Sequence, residues 1–433
     1  MKKTGIFLGL LLSFMASSIA NAQQIIVGND TTILLDDSVH YYNGSNSYTN
    51  TYQLPSIEQK YETILLHYQI KCPTDGCDPW ARIATINVVH NGEDFEIARM
   101  VTPGSTGGCD WVFDVTDYRS ILIGNTTIRS DIFSSFYGHV LNTSLEFIGG
   151  KPIREAYRVE NLWGNTPSSR WEVGNPDAPL SDHLPTKTIQ TDANADSLKA
   201  RVIMTGHGIG NTNDAAAFLF NEHSLVVDQV DTLSHILRAE CSDTQCPQNT
   251  SVWYYDRAGW CPGEVVFPWD VNLSGIVSPG DLIALDYVIE DYENLCRPGN
   301  IPCPCADCSY DGTYHTQPFY HMQSHLFSYK DPEEVEEGEN AIAQKQQALS
   351  IKIYPNPAID FTQLHLTTLA PKTVHVEVVD ILGKIQYTAA HHLTAGANKI
   401  DLNTKGLSGY NVVKIYDHQK NLLSSAALSI TTK

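Results

Sequence analysis

The chain of 433 residues carries 28 Lys and Arg against 49 Asp and Glu, which gives a formal net charge of −21 at pH 7. This acidic balance argues against nucleic acid and anionic membrane surfaces as partners, because both repel negative charge. The length predicts about two to four domains, each able to bury its own core without a metal ion or an oligomer.

The first 22 residues have the composition of a cleavable signal peptide. Lys2 and Lys3 supply a positive start, residues 6–15 an apolar core, and Ala20-Asn21-Ala22 the small residues at which such peptides are cut. We therefore expect the mature protein to begin at Gln23. The apolar stretch is shorter than the roughly 20 residues that span a bilayer, and no later stretch comes closer, so no membrane span is expected.

Short runs of alternating polar and apolar residues, rich in β-branched side chains, dominate the rest of the chain. Such runs predict strands at residues 63–70, 83–89, 95–100, 202–205 and 224–227. Asn91-Gly92 lies between two of these runs and predicts a tight hairpin, since both residues tolerate positive φ. The sequence thus predicts an all-β protein built from sandwiches.

Two polar passages divide the chain. The first, at residues 165–187, is rich in proline, and the second, at residues 331–347, contains five glutamates that repel one another. We therefore expect three folded units and a disordered linker. Their expected bounds are 23–165, 166–330 and 350–433 for the units and 331–349 for the linker.

Ten cysteines in an exported chain favour disulfide bonds, because the periplasm and the cell exterior are oxidising. Cys303, Cys305 and Cys308, with His315 nearby, also suit a zinc ion, but one tight cluster lacks the second ligand pair of a structural zinc site. We favour disulfides, and we expect neither a metal ion nor another cofactor.

One further stretch has the ligand spacing of a calcium loop with Gly275 at its turn. Its oxygen donors are Asp270, Asn272, Ser274 and Asp281. Pro279 and the strand-like residues 282–289 favour a connection between strands instead, so calcium remains the weaker interpretation.

The last unit combines alternating strands with turns, and its motifs are specific. They are Ile353-Tyr354-Pro355-Asn356-Pro357-Ala358, a turn at residues 380–384, and Gly406-Leu407 before a final strand pair. They resemble the C-terminal sorting domain of the type IX secretion system. The resemblance implies that the secretion machinery is a partner and that the protein crosses the outer membrane of a Gram-negative cell, to be released or held on the surface. The alternative is an accessory binding sandwich.

Strings in both central units resemble the peptide-N-glycosidase F family, whose members release N-linked glycans by cleaving the asparagine side-chain amide. The matching strings lie at 72–82, 96–103, 114–117, 206–207, 222–223 and Asp256–Gly263. The resemblance implies two tandem eight-stranded antiparallel jelly-roll sandwiches, followed by the small C-terminal β-sandwich. It also implies the disulfides Cys72–Cys77 and Cys241–Cys261.

The other cysteines are less constrained. A third bridge of the family falls at Ala215 and Leu219, so it cannot form. The sequence does not decide how the six additional cysteines pair; they are Cys109, Cys246, Cys296, Cys303, Cys305 and Cys308.

Three positions that hold acids in the family do not hold them here. The primary carboxylate falls at Ala81 and the second at Ala217, while the third falls at Phe133 with Asp131 two residues away on the same strand face. No such substitute exists for the first two, because Asp78 and Asp214 each lie three positions away, on the opposite face of a strand. Loss of the main general base typically removes a factor of about 10² to 10⁴ in rate.

Several residues that line the family's cleft are retained. They are Trp80, Arg82, His207, Asp256, Arg257 and Trp260. Tryptophan faces stack on sugars and arginine donates hydrogen bonds in a fixed geometry, so sugar contacts can persist after cleavage is lost. The alternative is that Trp80, Trp260 and the Asp256-Arg257 pair hold the fold, and that His207 and His223 are buried or solvated rather than catalytic.

The same pair of jelly rolls underlies copper-dependent monooxygenases, which suggests a remote alternative. Only His321-Met322 with His325 resembles their ligand groups, and it falls within one strand, so copper is disfavoured. We expect a secreted, monomeric binding module for an N-linked glycan or glycoprotein. The alternatives are a divergent amidase that uses Asp131, with Glu222 or Asp78, and a purely structural envelope protein.

Overall fold

The computed structural model describes residues 24–27, 30–297, 317–331 and 350–430, apart from short gaps at 28–29, 135, 153, 165, 167–169, 244–245, 247–252, 355, 357, 369–370, 381–383, 395 and 418–421. The expected signal peptide, most of the acidic linker, and the cluster of Cys303, Cys305, Cys308 and His315 lie outside the described residues. The chain divides into two compact units after Pro332, within the expected linker.

The first part of the larger unit is a sandwich of two antiparallel sheets. One sheet has the order β1-β2-β9-β4-β7 and the other the order β3-β8-β5-β6. The strands are β1 (Gln24–Val27), β2 (Asp30–Tyr41), β3 (Ser47–Gln53), β4 (Tyr61–Lys71), β5 (Ile83–His90), β6 (Glu93–Val101), β7 (Asp110–Asp114), β8 (Asn125–Ile132) and β9 (His139–Gly149). The eight strands β2 to β9 have the connectivity of a jelly roll.

Alternation along the chain explains which face of each strand is buried. In β4 and β8 every second side chain points into the sandwich, so that Leu66 and Ile128 lie in its core. The hairpin between β5 and β6 turns on Asn91 and Gly92, which both have positive φ, as predicted.

The second part of the larger unit repeats this connectivity. Its sheets have the orders β10-β18-β13-β16, with β11 also paired to β18, and β12-β17-β14-β15. The strands are β10 (Glu155–Gly164), β11 (Trp171–Glu172), β12 (Lys187–Gln190), β13 (Ser197–His207), β14 (Glu222–Val227), β15 (Asp231–Ile236), β16 (Trp269–Asn272), β17 (Leu282–Ile289) and β18 (Phe319–Lys330). The predicted fold of two tandem eight-stranded jelly rolls is thus confirmed, with β1 and β11 as additional strands.

The second jelly roll begins earlier than the expected boundary at residue 165. β10 pairs along its length with β18, a strand of the second jelly roll, so the chain enters the second jelly roll before Glu155. The proline-rich passage at 165–187 is instead a connection between the first two long strands of the second jelly roll. Its composition marks a turn-rich segment, but composition alone does not tell a loop inside a domain from a loop between domains.

The smaller unit is a sandwich of seven strands. Its sheets have the orders β19-β20-β23 and β22-β21-β24-β25. The strands are β19 (Ser350–Tyr354), β20 (Phe361–Thr368), β21 (Lys372–Asp380), β22 (Ile385–Leu393), β23 (Gly396–Asn403), β24 (Gly409–Tyr416) and β25 (Leu422–Ile430). Its core includes Leu364, Val376 and Val413, one from each of β20, β21 and β24.

The described residues contain four short 3₁₀ turns, at Thr116–Tyr118, Leu180–His183, Thr212–Asp214 and Cys241–Asp243, and no α-helix. Among these residues, therefore, no helix has the length and apolar character that a membrane crossing requires.

Candidate functional site

The two jelly rolls meet along the end of β6. Residues 263–266 run antiparallel to this end, with hydrogen bonds from Gly263 N to Val101 O (2.7 Å) and from Val266 N to Arg99 O (2.8 Å). Val101, Ile203, Trp260 and Val266 form a small buried apolar cluster at this junction. The junction thus joins the loop that carries Ala81 to the segment that carries Trp260.

The loop of Ala81 is attached directly to the end of β6. Arg82 N donates to Thr102 Oγ1 (2.9 Å), and Thr102 N donates back to Arg82 O (2.7 Å). Ala81 itself is exposed, and Trp80 beside it has 57% of its surface accessible. Trp80 therefore presents its ring to solvent, as a sugar-stacking residue must.

Asp78 fixes the conformation of this loop through hydrogen bonds to its side chain. Its buried carboxylate accepts hydrogen bonds from Arg82 Nε (2.8 Å), Ser134 Oγ (2.6 Å) and the Trp80 backbone N–H (2.9 Å). Burial would raise the pKa of Asp78, but the hydrogen bonds from Arg82 and Ser134 outweigh it and hold that pKa below its usual value. Asp78 is therefore an ionised structural anchor that cannot reach outward to replace an acid at position 81.

The second side of the junction carries Ala217. Ala258 N donates to Ala217 O (2.8 Å), and Gly206 N donates to Ala258 O (2.9 Å), so these three segments lie side by side. They pack closely, because a Cβ added to Gly206 would clash with Ala216 O. Ala217 is buried, and Asp214, the nearest acid along the chain, is exposed and accepts a hydrogen bond from Gly210 N at 2.8 Å.

Trp260 and Arg257 are buried, which corrects our expectation that they contact sugar. Trp260 is 7% exposed and donates its indole N–H to Gly206 O (2.7 Å). Arg257 lies between the Phe218 and Trp260 rings and donates to Trp253 O (3.1 Å) and Tyr255 O (2.6 Å). Burial lowers the pKa of Arg257 to about 10. The indole N–H of Trp260 and the Nη1 atom of Arg257 donate within the protein, so both side chains support the junction from inside.

His207 and Asp256 are also held internally. The His207 ring is stacked between Trp260 (5.1 Å) and Phe319 (5.0 Å), and its Nε2 lies 2.9 Å from Thr205 Oγ1. Burial and the charge of Arg99 lower the pKa of His207 to about 3, so the ring is neutral near pH 7. Asp256 pairs with Arg238 (2.6 Å) and accepts a hydrogen bond from Cys241 N (3.0 Å).

Asp131 lies on the outer face of β8, where it pairs in register with Ser47 and Thr85. Its Oδ2 accepts hydrogen bonds from Arg129 Nε (2.8 Å) and Asn87 Nδ2 (3.2 Å). Phe133, at the family's third acid position, lies just beyond the end of β8 and is 42% exposed. Glu222, the other candidate substitute, is exposed at the start of β14 and lies outside the segments that meet at the junction.

The structure contains three disulfide bonds between described residues. Cys72–Cys77 and Cys241–Cys261 are the two pairs implied by the family resemblance. The third, Cys109–Cys246, links the two jelly rolls and was not deducible from the sequence. Cys296 is also disulfide-bonded.

The residues of the two weaker metal interpretations are committed to other contacts. Asp270 pairs with Arg201 (2.6 Å) and Lys199 (2.9 Å), and the candidate oxygens of Asn272 and Asp281 accept backbone N–H groups of their own loop. The copper candidates His321 and Met322 are neighbours on β18, so their side chains point to opposite faces. Met322 lies in the core of the second jelly roll, while His325 contacts Tyr118.

Sequence reasoning missed the ionic support of the junction. Arg99 and Glu96 form a fully buried ion pair (2.6 Å), and Arg99 also donates to Thr205 Oγ1 (3.1 Å) and His321 O (2.7 Å) in the second jelly roll. A second cluster joins Asp117 to Lys199 (2.6 Å) and Arg201 (3.0 Å). The spacing Glu96-x-x-Arg99 was visible as part of a family string, but nothing in the sequence indicated that Arg99 also donates hydrogen bonds to the second jelly roll.

Comparison with known proteins agrees with this architecture. Residues 178–294 match the family model described as "Peptide-N-glycosidase F, C terminal", and residues 352–426 match the "Secretion system C-terminal sorting domain". Over 271 residues the chain is 28% identical to peptide-N(4)-(N-acetyl-beta-D-glucosaminyl)asparagine amidase F of Elizabethkingia miricola. This alignment covers 58% of this chain and 74% of that protein. The second jelly roll thus matches the C-terminal domain model of the peptide-N-glycosidase F family, and the two jelly rolls together are similar to a curated amidase of that family.

Solved structures give the same result for the fold. The crystal structure of a peptide-N(4)-(N-acetyl-beta-D-glucosaminyl)asparagine amidase matches with a TM-score of 0.60 at 25% identity, and the match covers 70% of this chain and 97% of that one. PNGF-II has the same fold, with a TM-score of 0.54 at 14% identity, covering 72% of this chain and 67% of its own. The sorting domain identifies this protein as one exported through type IX secretion, to be released or held on the cell surface.

Proposed function

We propose that this exported member of the peptide-N-glycosidase F family binds an N-linked glycan or glycoprotein and does not cleave it. The observation that carries the proposal is the pair of alanines at positions 81 and 217, on the two sides of the junction between the jelly rolls. Hydrolysis of the amide requires an ionised carboxylate as the base or activator of the nucleophile. The carboxylates nearest in sequence, Asp78 and Asp214, are both engaged by groups of their own loops.

Binding is supported by Trp80. Its ring is exposed, and the loop that carries it is fixed by Asp78, Arg82 and Thr102, so little conformational freedom is lost when a sugar stacks on it. Trp260 and Arg257 support the same region from inside.

The first experiment incubates the mature protein with a denatured N-glycoprotein and measures released glycan. We expect no release above the buffer control. The variant Ala81→Asp/Ala217→Glu restores both acids and should gain release, whereas the matched variant Ala81→Asn/Ala217→Gln, which has the same side-chain shapes without the charges, should not. Release by the unmodified protein at a rate comparable to the family enzyme would refute the proposal.

The second experiment measures affinity for an N-glycopeptide by calorimetry. Trp80→Ala should weaken binding by about tenfold or more, since a stacked aromatic ring contributes about 0.5–1.5 kcal/mol beyond its buried area. Phe361→Ala is the control, because Phe361 is an equally exposed aromatic residue in the sorting domain (58%). Equal affinity in wild type and Trp80→Ala would remove Trp80 from the site.

One observation favours a second candidate, a divergent amidase. Asp131 lies near the third acid position, and both hydrogen bonds that the described residues donate to it end on Oδ2. In that case the glycan release assay should be positive for the unmodified protein and should lose its activity in Asp131→Asn.

A further inference from the structure

Five large aromatic side chains stand exposed on neighbouring loops of the first jelly roll. They are Tyr42, Trp80, Phe133, Phe136 and Tyr137, with between 42% and 60% of their surface accessible. We call these five residues the aromatic rim. Exposed aromatic residues are common singly, but a group on connected loops typically marks a binding surface.

Hydrogen bonds join the loops of the aromatic rim into one frame. Ser134 Oγ donates to the Asp78 carboxylate (2.6 Å), which connects the loop of Phe133 and Phe136 to the loop of Trp80. Asn43 N donates to Phe136 O (3.2 Å), which connects the same loop to the turn of Tyr42. The five rings therefore lie on three loops that are connected to one another by hydrogen bonds.

Tyr137 and Tyr42 are fixed by one histidine. The Nε2 atom of His40 donates to Tyr137 O (2.6 Å), and the His40 ring lies 4.9 Å from the ring of Tyr42. Gly138 follows with φ +80°, and a Cβ there would clash with Tyr41 O, so the chain can turn sharply only with glycine at this position. The loop thus presents Tyr137, the most exposed ring of the five, outward.

The charge of the surface identifies the kind of ligand. Residues 42–46 and 133–138 contain no Asp, Glu, Lys or Arg, although the chain as a whole carries 77 such residues. These two segments carry four of the five rings, and in the loop of Trp80 the charges of Asp78 and Arg82 pair with each other (2.8 Å). Uncharged aromatic faces, two of them with tyrosine hydroxyls, suit a ligand with apolar C–H faces and many hydroxyl groups. Neutral sugar rings have this chemistry, and phosphorylated or strongly charged ligands do not.

We propose that the aromatic rim binds the outer sugars of a neutral oligosaccharide whose inner end lies at Trp80. Trp80 adjoins Ala81, and Phe133 stands where the resemblance implies the third acid, so Tyr42, Phe136 and Tyr137 extend the site from these two residues along the connected loops. This inference rests on the proposed function, which places the inner sugars at Trp80. It adds a second region of sugar contacts, and that region is independent of the residues at positions 81 and 217.

The test compares two probes in calorimetry on the full mature chain: a high-mannose N-glycopeptide and the same peptide trimmed to its two core N-acetylglucosamines. Tyr42→Ala/Tyr137→Ala should bind the full glycopeptide at least about tenfold more weakly and the trimmed one within about threefold of wild type. Tyr42→Phe/Tyr137→Phe keeps the rings and should bind the full glycopeptide nearly as wild type does.

The matched control is Tyr254→Ala/Phe267→Ala, which removes two rings of similar exposure (44% and 72%) from the second jelly roll.

Unchanged affinity of the rim variant for the full glycopeptide would overturn this inference and leave the proposed function standing, whereas failure of wild type to bind either probe would overturn both. A wild-type dimer in sedimentation that the rim variant abolishes would also overturn it, since a second copy of the chain would then cover the rim. Thermal melting checks folding, and single alanine variants replace the double one if it melts lower.

Discussion

The buried ion pair between Arg99 and Glu96 gives the sharpest test of how the two jelly rolls are joined. Arg99 is fully buried and makes two hydrogen bonds to Glu96 (2.6 and 2.9 Å), one to Thr205 Oγ1 (3.1 Å) and one to His321 O (2.7 Å). Arg99→Met keeps much of the side-chain volume but removes the charge and all four hydrogen bonds. The Glu96 carboxylate would then lie buried without a partner.

The expected loss of unfolding free energy is about 3–5 kcal/mol, the usual cost of breaking a buried pair by removing one partner. Most of this loss comes from the stranded charge, because burial raises the pKa of Glu96 even with Arg99 present. The double variant Arg99→Met/Glu96→Gln removes the charge as well and should lose only about 1–3 kcal/mol, the cost of unsatisfied neutral groups.

Urea unfolding of the mature protein, followed by tryptophan fluorescence, measures these differences. Arg158→Met is the control, because its pair with Glu160 (2.8 Å) is half-exposed and should contribute less than about 1 kcal/mol. If Arg99→Met were as stable as this control, the buried Arg99 side chain would not stabilise the junction, and if the double variant were no more stable than the single one, the loss would not come from an unpaired Glu96 charge.

Two further predictions concern pH and the disulfides. Burial lowers the pKa of several histidines, among them His139 and His235 to about 4 and His207, His223 and His325 to about 3. The unfolded chain therefore binds more protons below pH about 6.5, so stability should be full above that pH and fall as pH drops towards 4. A urea midpoint that stays constant from pH 7 to 4.5 would contradict this. Replacing both cysteines of Cys109–Cys246 by alanine should cost about 3 kcal/mol more than replacing those of Cys72–Cys77, because the sequence separations are 137 and 5 and loop entropy grows with the logarithm of loop length. Equal thermal melting of the two variants would show that the longer bridge adds no constraint.

The sequence predicted those features of the fold that repeat along the chain. Alternation located the strands because one face of each sheet is buried, and Asn91-Gly92 located a hairpin because its turn requires positive φ at both residues. The boundary between the jelly rolls was misplaced because β10 pairs with β18, about 165 residues further along the chain. Such a pairing depends on long-range register, which a local pattern does not contain.

The same limit explains the candidate site. The sequence gives the same signal for three residues, because each is aromatic or cationic and lies in a string that resembles the family: Trp80, Arg257 and Trp260. In the structure Trp80 is exposed, whereas Arg257 and Trp260 are buried. Their roles are decided by what lies behind them, and for Trp80 that is the carboxylate of Asp78.

The internal support of the junction and the acids that the family resemblance implies at positions 81 and 217 have different physical requirements, and this difference bears on the proposed function. Asp78, Arg82 and Trp260 contribute to packing and to internal hydrogen bonds, so their loss would destabilise the fold whether or not the protein cleaves a glycan. An acid at position 81 or 217 contributes to no such support, since alanine fits at both positions with Ala81 exposed and Ala217 packed beside Ala258. Cleavage can therefore be lost while the exposed ring of Trp80 stays in place, and the double variant Ala81→Asp/Ala217→Glu separates the two requirements within a single fold.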